Sequence, residues 1–183
     1  MEVVETDLPG VVVLTPKKFG DHRGFFSEVY NRSLFAKAGI DVDFVQDNHS
    51  LSAETGVVRG LHYQLNPMAQ AKLIRVVRGA ILDVVVDVRR DSPTFGKHVK
   101  EILSTENWRQ VYVPVGFAHG FATLAPNTEV VYKVTSYYSP THERGLRWND
   151  PALGIDWGID ESRAVLSERD RKHPVLSELK DLL

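Results

Sequence analysis

The sequence predicts a mainly β protein, an antiparallel sandwich or barrel with a few short helices at its periphery. Many short segments alternate apolar and polar residues with a period of two, and clusters of glycine, proline and aspartate separate them. Segments with a helical pattern are scarce. The chain has 183 residues, of which 43% are hydrophobic, and this suits a single domain over residues 1–183 with a sizeable core.

The N-terminal part of the chain predicts two strands, an intervening turn and one short helix. Residues 11–15 form an apolar strand, and the glycines and aspartate within residues 19–26 indicate a turn that leads into a strand through Tyr30. Residues 33–38 predict a single short helix, with Ser33 near its N-terminal cap and a glycine directly after its end.

Two of the next segments carry polar side chains. Residues 44–50 begin apolar and become entirely polar, which is typical either of a strand that delivers polar groups to a pocket or of a solvated loop. Residues 57–64 predict a strand in which Gly60 lets a ligand or another backbone approach closely. By itself, this strand fits a structural core histidine at position 62 better than a functional one. With a period of two, His62 shares a face with Val58, Gly60 and Gln64, whereas Arg59, Leu61 and Tyr63 face the other way.

The remainder of the chain predicts further short strands. Residues 72–78 and 80–88 flank Gly79, which is a hairpin signal, and the first of these runs places Lys72 on one face with Ile74 and Val76. Helical character returns at residues 177–182. The other predicted strands are His98 to Leu103, Gln110 to Val113, Phe121 to Leu124 and Glu129 to Tyr138.

The composition excludes several classes of protein. The net charge is −2, so no basic face indicates nucleic acid as a partner. The chain has no cysteine, which rules out disulfides, thiolate metal sites and a cysteine nucleophile. No apolar run approaches the ~20 residues of a membrane span, and the N-terminus lacks a signal-peptide pattern. We therefore expect a cytoplasmic protein with no membrane partner.

Residues 114–119 (P-V-G-F-A-H) match the second half-motif of the cupin superfamily, P-x-G-x-x-H, on a chain whose strand count suits a jelly roll. The first half-motif of metal-binding cupins is H-x-H with a downstream glutamate. The corresponding segment here has Gln64 in place of the second histidine, and residues 65–69 contain no glutamate. Two imidazoles without a carboxylate are too few for a typical divalent site. We expect no metal, although Asp83 is a secondary candidate that would complete a triad in a metal-dependent oxygenase.

A metal-free pocket that contains histidine, lysine and tyrosine side chains fits proton abstraction next to a carbonyl. A histidine removes the acidic proton, an ammonium or imidazole stabilises the enolate, and a phenol on the opposite face returns the proton, which inverts the carbon. Such a base needs an orienting carboxylate. Asp170 is a candidate for this role, although from the residues alone a surface turn is the favoured interpretation of its segment. The inward-facing candidates are His62, Lys72, Asp83, His119 and Tyr132.

Six blocks of sequence carry a family resemblance: residues 19–26, 44–50, 59–64, 114–121, 132–138 and 147–151. In order and in spacing, from about residue 3 to about residue 170, they resemble the dTDP-4-dehydrorhamnose 3,5-epimerase family. The resemblance implies a cupin-type jelly roll without cofactor or metal that epimerises C3 and C5 of a dTDP-linked 4-keto-6-deoxy sugar. It also implies a homodimer in which the N-terminal segment crosses to the partner.

The same resemblance implies roles for individual residues. His62 is the general base and Asp170 its partner, Lys72 polarises the C4 carbonyl, and Tyr132 is the acid on the other face. Tyr138 is the aromatic residue that stacks on thymine. An epimerase that acts on C3 or C5 alone and a non-catalytic sugar-nucleotide binding module are the alternatives. The other substrate contacts are Arg23, Glu28, Gln46, Asp47, Asn48, Arg59, His119, Glu143 and Arg169, the last of which replaces a lysine that is common in the family.

Overall fold

The computed structural model describes residues 1–182, and strands dominate this part of the chain. The only α-helix among these residues is α1 (Arg32–Lys37), and three 3-10 turns follow at Glu161–Arg163, Asp170–Lys172 and Leu176–Glu178. The strands are β1 (Glu2–Glu5), β2 (Val12–Thr15), β3 (Lys18–Asp21), β4 (Gly24–Ser27), β5 (Gln46–Ser52), β6 (Val58–Gln64), β7 (Lys72–Arg78), β8 (Ala80–Asp87), β9 (His98–Ser104), β10 (Gln110–Val113), β11 (Phe117–Thr123), β12 (Thr128–Val134) and β13 (Glu143–Gly145).

The strands form two sheets and a separate hairpin. The first sheet has the order β1-β2-β10-β7-β12-β5, the second has the order β13-β6-β11-β8-β9, and β3 pairs with β4 alone. From β7 onward the chain crosses repeatedly from one sheet to the other, and paired strands within the sheets are antiparallel. This is a double-sheet jelly roll, which agrees with the fold class that the sequence predicts.

Both sheets are covered on both faces by apolar side chains. The largest cluster lies between the sheets and includes Ile74, Val85, Val111 and Phe121. A second cluster lies on the outer face of the second sheet, where residues 146–157 and the C-terminal segment pack against β6, β8 and β11. The third covers the outer face of the first sheet with α1 and the residues around it. Two-sided burial explains why many strands are apolar throughout rather than strictly alternating.

The predicted hairpin at Gly79 is wrong. β7 belongs to the first sheet and β8 to the second, so Gly79 is the corner at which the chain passes between them. Its φ of +78° favours glycine, and a Cβ at this position would overlap the side chain of Thr128. A glycine between two apolar strands indicates a reversal of the chain, but not whether the two strands pair with each other.

The helical predictions need correction at both ends of the chain. The cap of α1 is Asn31, whose side chain accepts a hydrogen bond from the backbone N–H of Leu34 at 3.2 Å, and Ser33 lies inside the helix. The C-terminal segment forms only the 3-10 turn Leu176–Glu178 instead of a helix over residues 177–182. Among residues 1–182, no helix is both long enough and apolar enough to span a membrane.

Several strands have different bounds from those predicted. β4 ends at Ser27 rather than Tyr30, and β12 ends at Val134 rather than Tyr138. β11 begins at Phe117, four residues earlier than predicted, and therefore includes the histidine of the P-x-G-x-x-H pattern. The polar residues after Val45 form β5 itself, so they belong to a strand and not to a loop.

A local irregularity in β6 exchanges the predicted faces of Val58 and Arg59, whereas His62 and Gln64 still share one face, and Leu61 and Tyr63 the other, as predicted. Opposite β11, His119 aligns with His62 and Phe121 with Arg59, so two residues of β6 lie opposite one residue of β11. This bulge lets Arg59 and His62 line the same cavity, whereas Val58 packs in the outer cluster with Leu61 and Tyr63. Gly60 lies at the irregularity with φ +118°, and a Cβ there would come within 2.6 Å of Gly120 Cα. The expectation that another backbone approaches closely at Gly60 is confirmed.

Candidate active site

A cavity of about 390 Å³ opens between the two sheets, and it contains most of the predicted site residues. The first sheet contributes side chains of β5, β7 and β12, and the second contributes β6 and β13. The lining residues are Gln46, Asn48, Arg59, His62, Tyr63, Gln64, Gln70, Lys72, Tyr132, Tyr138, Glu143 and Arg169.

His62 and Asp170 form a hydrogen-bonded pair at one wall of the cavity. His62 Nε2 lies 2.6 Å from Asp170 Oδ1, although the two residues are 108 positions apart in the chain. Asp170 begins a 3-10 turn that packs against β6, and its backbone N–H donates to the Ser167 hydroxyl at 3.1 Å. Burial alone would raise the pKa of Asp170, but the nearby His173 ring and the hydrogen bond from His62 hold it well below its ordinary value. The carboxylate is therefore ionised at neutral pH.

The same environment keeps the His62 ring neutral. Burial lowers the pKa of His62, the bond to Asp170 opposes this shift, and the Lys72 ammonium adds to it. A neutral ring that faces a carboxylate through Nε2 carries its proton on that nitrogen, because the carboxylate only accepts. Nδ1 is then the nitrogen with a free lone pair, which is the state that a general base requires.

Lys72 and Tyr132 reach the cavity from neighbouring strands of the opposite sheet. Lys72 is 9% exposed, and its Nζ donates to the backbone carbonyl of His62 at 3.3 Å. Burial lowers the pKa of Lys72 to about 8, with a partial opposing effect from Glu143 and Asp83, so the ammonium form still predominates at neutral pH. Burial raises the pKa of Tyr132, with a smaller opposing effect from Arg59, so the phenol keeps its proton.

The outer part of the cavity is charged and more exposed. Glu143 accepts two hydrogen bonds from Arg169, at 2.5 and 2.7 Å, and a third from the Tyr138 hydroxyl at 2.7 Å. The Tyr138 ring is about half exposed, so one of its faces is available to a ligand. On the neighbouring wall, Gln46 donates to Asn48 at 2.8 Å. Arg59 is fixed by hydrogen bonds of 3.2 Å to the Ser52 hydroxyl and to the carbonyl of residue 51.

Comparison with known proteins places the chain in a family. The family model described as dTDP-4-dehydrorhamnose 3,5-epimerase matches residues 5–178. The chain belongs to this family. A protein of that name from Sinorhizobium fredii (strain NBRC 101917 / NGR234) is 56% identical over 169 residues, which cover 92% of this chain and 86% of that protein.

Solved structures of the family agree with the fold. The crystal structure of the Bacillus anthracis str. Ames enzyme, with TDP and PPi bound, is 52% identical with a TM-score of 0.92 and covers 95% of this chain and 98% of that one. The Legionella pneumophila Philadelphia 1 enzyme, in complex with dTDP-4-keto-L-rhamnose, has a TM-score of 0.92 at 42% identity and covers 97% of this chain and 94% of that one. The predicted membership of an epimerase family with a cupin-type jelly roll is confirmed.

Not every predicted site residue lies at the cavity. His119 is aligned with His62 across the strands, but it is buried and its Nε2 lies 2.7 Å from Asp83 Oδ2. Asp83 therefore pairs with His119 inside the sandwich and does not form a metal triad with both histidines. Among residues 1–182, one set of three His, Cys, Asp or Glu side chains has potential metal-ligand atoms within 4.8 Å of one another, and it consists of His62, Asp170 and His173.

Three further predicted contacts lie outside the cavity of their own chain. Arg23 is at the turn of the β3–β4 hairpin, where it pairs with Asp21, and its side chain is 78% exposed. Glu28 follows this hairpin and accepts a hydrogen bond from Asn31. Asp47 points to the outer face of the first sheet, where it pairs with Lys133 at 2.8 Å. The alternation within β5 explains the last case, because Asp47 lies between Gln46 and Asn48.

Sequence reasoning missed three residues that organise the site. In the sequence, Gln64 stands out only because it replaces a metal-binding histidine, yet its side chain donates to the carbonyls of Met68 and Tyr137 and accepts from the N–H of Ser139. Gln70 donates to the carbonyl of Ser136 at 2.6 Å. Both glutamines therefore hold the segment that carries Tyr138. The third residue is His173, whose only signal was its place three residues after Asp170.

Proposed function

We propose that the chain epimerises C3 and C5 of dTDP-4-dehydro-6-deoxy-D-glucose to give dTDP-4-dehydro-L-rhamnose, in the biosynthesis of dTDP-rhamnose. The observation that supports this best is the position of the two proton-transfer groups. His62, paired with Asp170, belongs to one sheet, and Tyr132 belongs to the facing sheet, with the cavity between them. Inversion of a carbon needs a base on one face of the sugar and an acid on the other.

Each inversion proceeds through an enolate. His62 Nδ1 accepts the proton from the carbon next to the C4 ketone, and the electron pair of that C–H bond moves onto the carbonyl oxygen. The Lys72 ammonium stabilises this oxygen in a cavity where burial strengthens the interaction. Tyr132 then donates its proton to the opposite face of the carbon, and proton exchange with water resets both groups. C3 and C5 both flank C4, so one carbonyl activates both positions.

The residues themselves supply a base, an acid and an electrophile, so the reaction needs neither a cofactor nor a metal. The outer part of the cavity is suited to the dTDP moiety. Arg59 and Arg169 offer guanidinium groups to a diphosphate, and the Tyr138 ring offers a face to thymine. Gln46 and Asn48 offer amide groups to the remaining polar atoms. Arg169 is also fixed by Glu143, so its side chain is already ordered before a ligand binds.

A non-catalytic sugar-nucleotide binding module is a weaker interpretation. Binding alone needs no buried histidine–aspartate pair, and a buried lysine is costly to a fold that does not use it. An epimerase of C3 or C5 alone would have the same acid–base set, so this alternative requires an experiment.

NMR in heavy water tests the proposal. The substrate dTDP-4-dehydro-6-deoxy-D-glucose is expected to exchange its protons at both C3 and C5 for deuterium and to yield the inverted product. Exchange at one carbon alone would identify a monoepimerase. Absence of exchange at both carbons, together with tight binding of dTDP, would identify a binding module and overturn the proposal.

We also propose that the active unit is a homodimer in which the β3–β4 hairpin completes the cavity of the partner subunit. Phe19 and Phe26 on this hairpin are 53% and 66% exposed, which is unusual for large apolar side chains and typical of an interface. Arg23 at the tip is not among the residues that line the cavity of its own chain. A partner's hairpin would bring a third guanidinium to the dTDP.

A further inference from the structure

His173 adds a second imidazole to the carboxylate that orients His62. Its Nε2 lies 3.3 Å from Asp170 Oδ1, the oxygen that also receives the 2.6 Å hydrogen bond from His62 Nε2. The two rings meet edge to face, with centroids 5.4 Å apart. Of the two histidines, only His62 lines the cavity. His173 therefore acts on the site through Asp170 and not through the ligand.

Backbone contacts fix the His173 ring in this position. The ring packs directly on Gly145, where a Cβ would overlap three ring atoms, and Gly145 is the residue of β13 that pairs with His62. The next residue, Pro174, is also held in place, because its carbonyl accepts a 2.8 Å hydrogen bond from the backbone N–H of Arg147. The missing side chain at position 145 thus creates the space in which a second ring reaches the carboxylate.

The contact between His173 and Asp170 affects the charge that His62 experiences. His173 Nε2 is inaccessible to solvent and has no hydrogen bond of good geometry, so its interaction with the nearby carboxylate is mainly electrostatic. A nitrogen in this position carries a proton, because a lone pair would be repelled by the carboxylate. The positive end of the N–H dipole stabilises the negative charge on Oδ1, so Asp170 attracts a proton on His62 less strongly.

We propose that His173 is a positioning residue, which holds the Asp170 carboxylate against His62 and limits the proton affinity of the His62 ring. The inference rests on the proposed function, in which His62 is the base. A base must be unprotonated to act, so a lower proton affinity keeps more of the enzyme active at mildly acidic pH. The other charged groups near the pair are Lys72 on β7, Glu143 on β13, and Arg147 and Arg169 in the flanking segments. All four remain in the variants below.

Two substitutions distinguish the effect of the His173 N–H from the effect of its planar ring. His173→Phe keeps a planar ring on Gly145 but removes the N–H, whereas His173→Gln places an amide N–H at a similar reach. In the phenylalanine variant, the acidic limb of the pH profile of kcat/KM is expected to move upward by roughly half a pH unit. In the glutamine variant, the limb is expected to stay near its wild-type position. His173→Leu serves as a second donor-free variant where phenylalanine prevents folding.

Titration of the His62 ring by NMR in the dTDP complex gives a second measurement that needs no turnover. The pKa of His62 is expected to rise in His173→Phe and to return in His173→Gln. A pKa that is the same in wild type and His173→Phe, or that moves equally in both variants, would overturn the inference. Failure of wild type to epimerise the sugar would instead refute the proposed function, while the titration would still show whether His173 controls His62.

Discussion

Tyr132 and His62 lie on facing sheets, and the proposed reaction separates their two tasks. In Tyr132→Phe the ring keeps its packing against the core between the sheets, and only the hydroxyl is lost. Abstraction by His62 is expected to continue, with the proton returned to its original face. The ratio of deuterium exchange to inversion, measured by NMR in heavy water, should therefore rise. A ratio equal to that of wild type would show that the second proton comes from elsewhere.

The buried ammonium of Lys72 predicts a conflict between activity and stability. Its pKa is lowered from 10.5 to about 8, so the charged form is penalised in the folded state. This penalty is complete below about pH 8 and shrinks as the pH rises toward 10.5, where the unfolded chain also loses the proton. Lys72→Met is expected to raise the free energy of unfolding at pH 7 by about 1–3 kcal/mol.

The same substitution is expected to abolish epimerisation, because it removes the group that stabilises the enolate. Chemical denaturation at pH 7 and at pH 10 measures the first effect, and the gain should be smaller at the higher pH. The deuterium-exchange assay measures the second. A methionine variant that is less stable than wild type at pH 7 would show that the hydrogen bond from Lys72 to the His62 carbonyl outweighs the cost of burial.

At the scale of elements, the close approach of β6 to its neighbour β11 at the bulge determines which side chains reach the cavity. Gly60→Ala would place a Cβ 2.6 Å from Gly120 Cα and 2.7 Å from the carbonyl of His119. The strands would have to separate, which would displace both Arg59 and His62. We expect a loss of stability of roughly 3 kcal/mol or more, beyond the ~1 kcal/mol typical of backbone strain at a positive φ.

Gly24→Ala is the matched control for this prediction. Gly24 has a φ of +128°, close to the +118° of Gly60, but a Cβ there would meet nothing within 4 Å. The difference in unfolding free energy between the two variants therefore isolates the contact between the backbones. Equal destabilisation by both substitutions would show that strain at the positive φ, and not the close approach of the two backbones, causes the loss of stability.

The bulge also shows why the sequence predicted the residues of the site better than their arrangement. Strand existence follows from local alternation, and most strands were predicted to within a few residues. The faces of β6 depend on a contact with β11, more than fifty positions away, which no local pattern contains. Gly79 failed as a hairpin signal for the same reason, because the partners of β7 and β8 are chosen by non-local pairing.

On the scale of the whole molecule, the site depends on segments that are far apart in the chain. The C-terminal segment covers the outer face of the second sheet and thereby brings Asp170 to His62. From the residues around Asp170 alone, a surface turn was the favoured interpretation. Only the family resemblance identified Asp170 as the partner of the base. His173 had no such support, since its role follows from a space at Gly145 that exists only in the folded chain.

The β3–β4 hairpin is held firmly on its own subunit while its tip remains free. Trp108 packs edge to face on Phe25 with centroids 5.1 Å apart, donates a 3.0 Å hydrogen bond to the Ser27 hydroxyl, and lies 4.0 Å from the Lys18 ammonium. This support leaves Arg23 exposed on a fixed arm, as expected of a group that serves another subunit.

Mixed dimers test whether Arg23 acts in the partner's cavity. Arg23→Ala and His62→Asn are each expected to lower activity by about 10-fold or more when alone. If each cavity uses His62 of one subunit and Arg23 of the other, a mixed dimer contains one cavity with both residues intact. Co-refolding the two variants in equal amounts makes about half of the dimers mixed, so activity should recover to about a quarter of the wild-type value. No recovery, in a preparation shown by mass spectrometry of differently tagged subunits to contain mixed dimers, would place Arg23 in the cavity of its own chain.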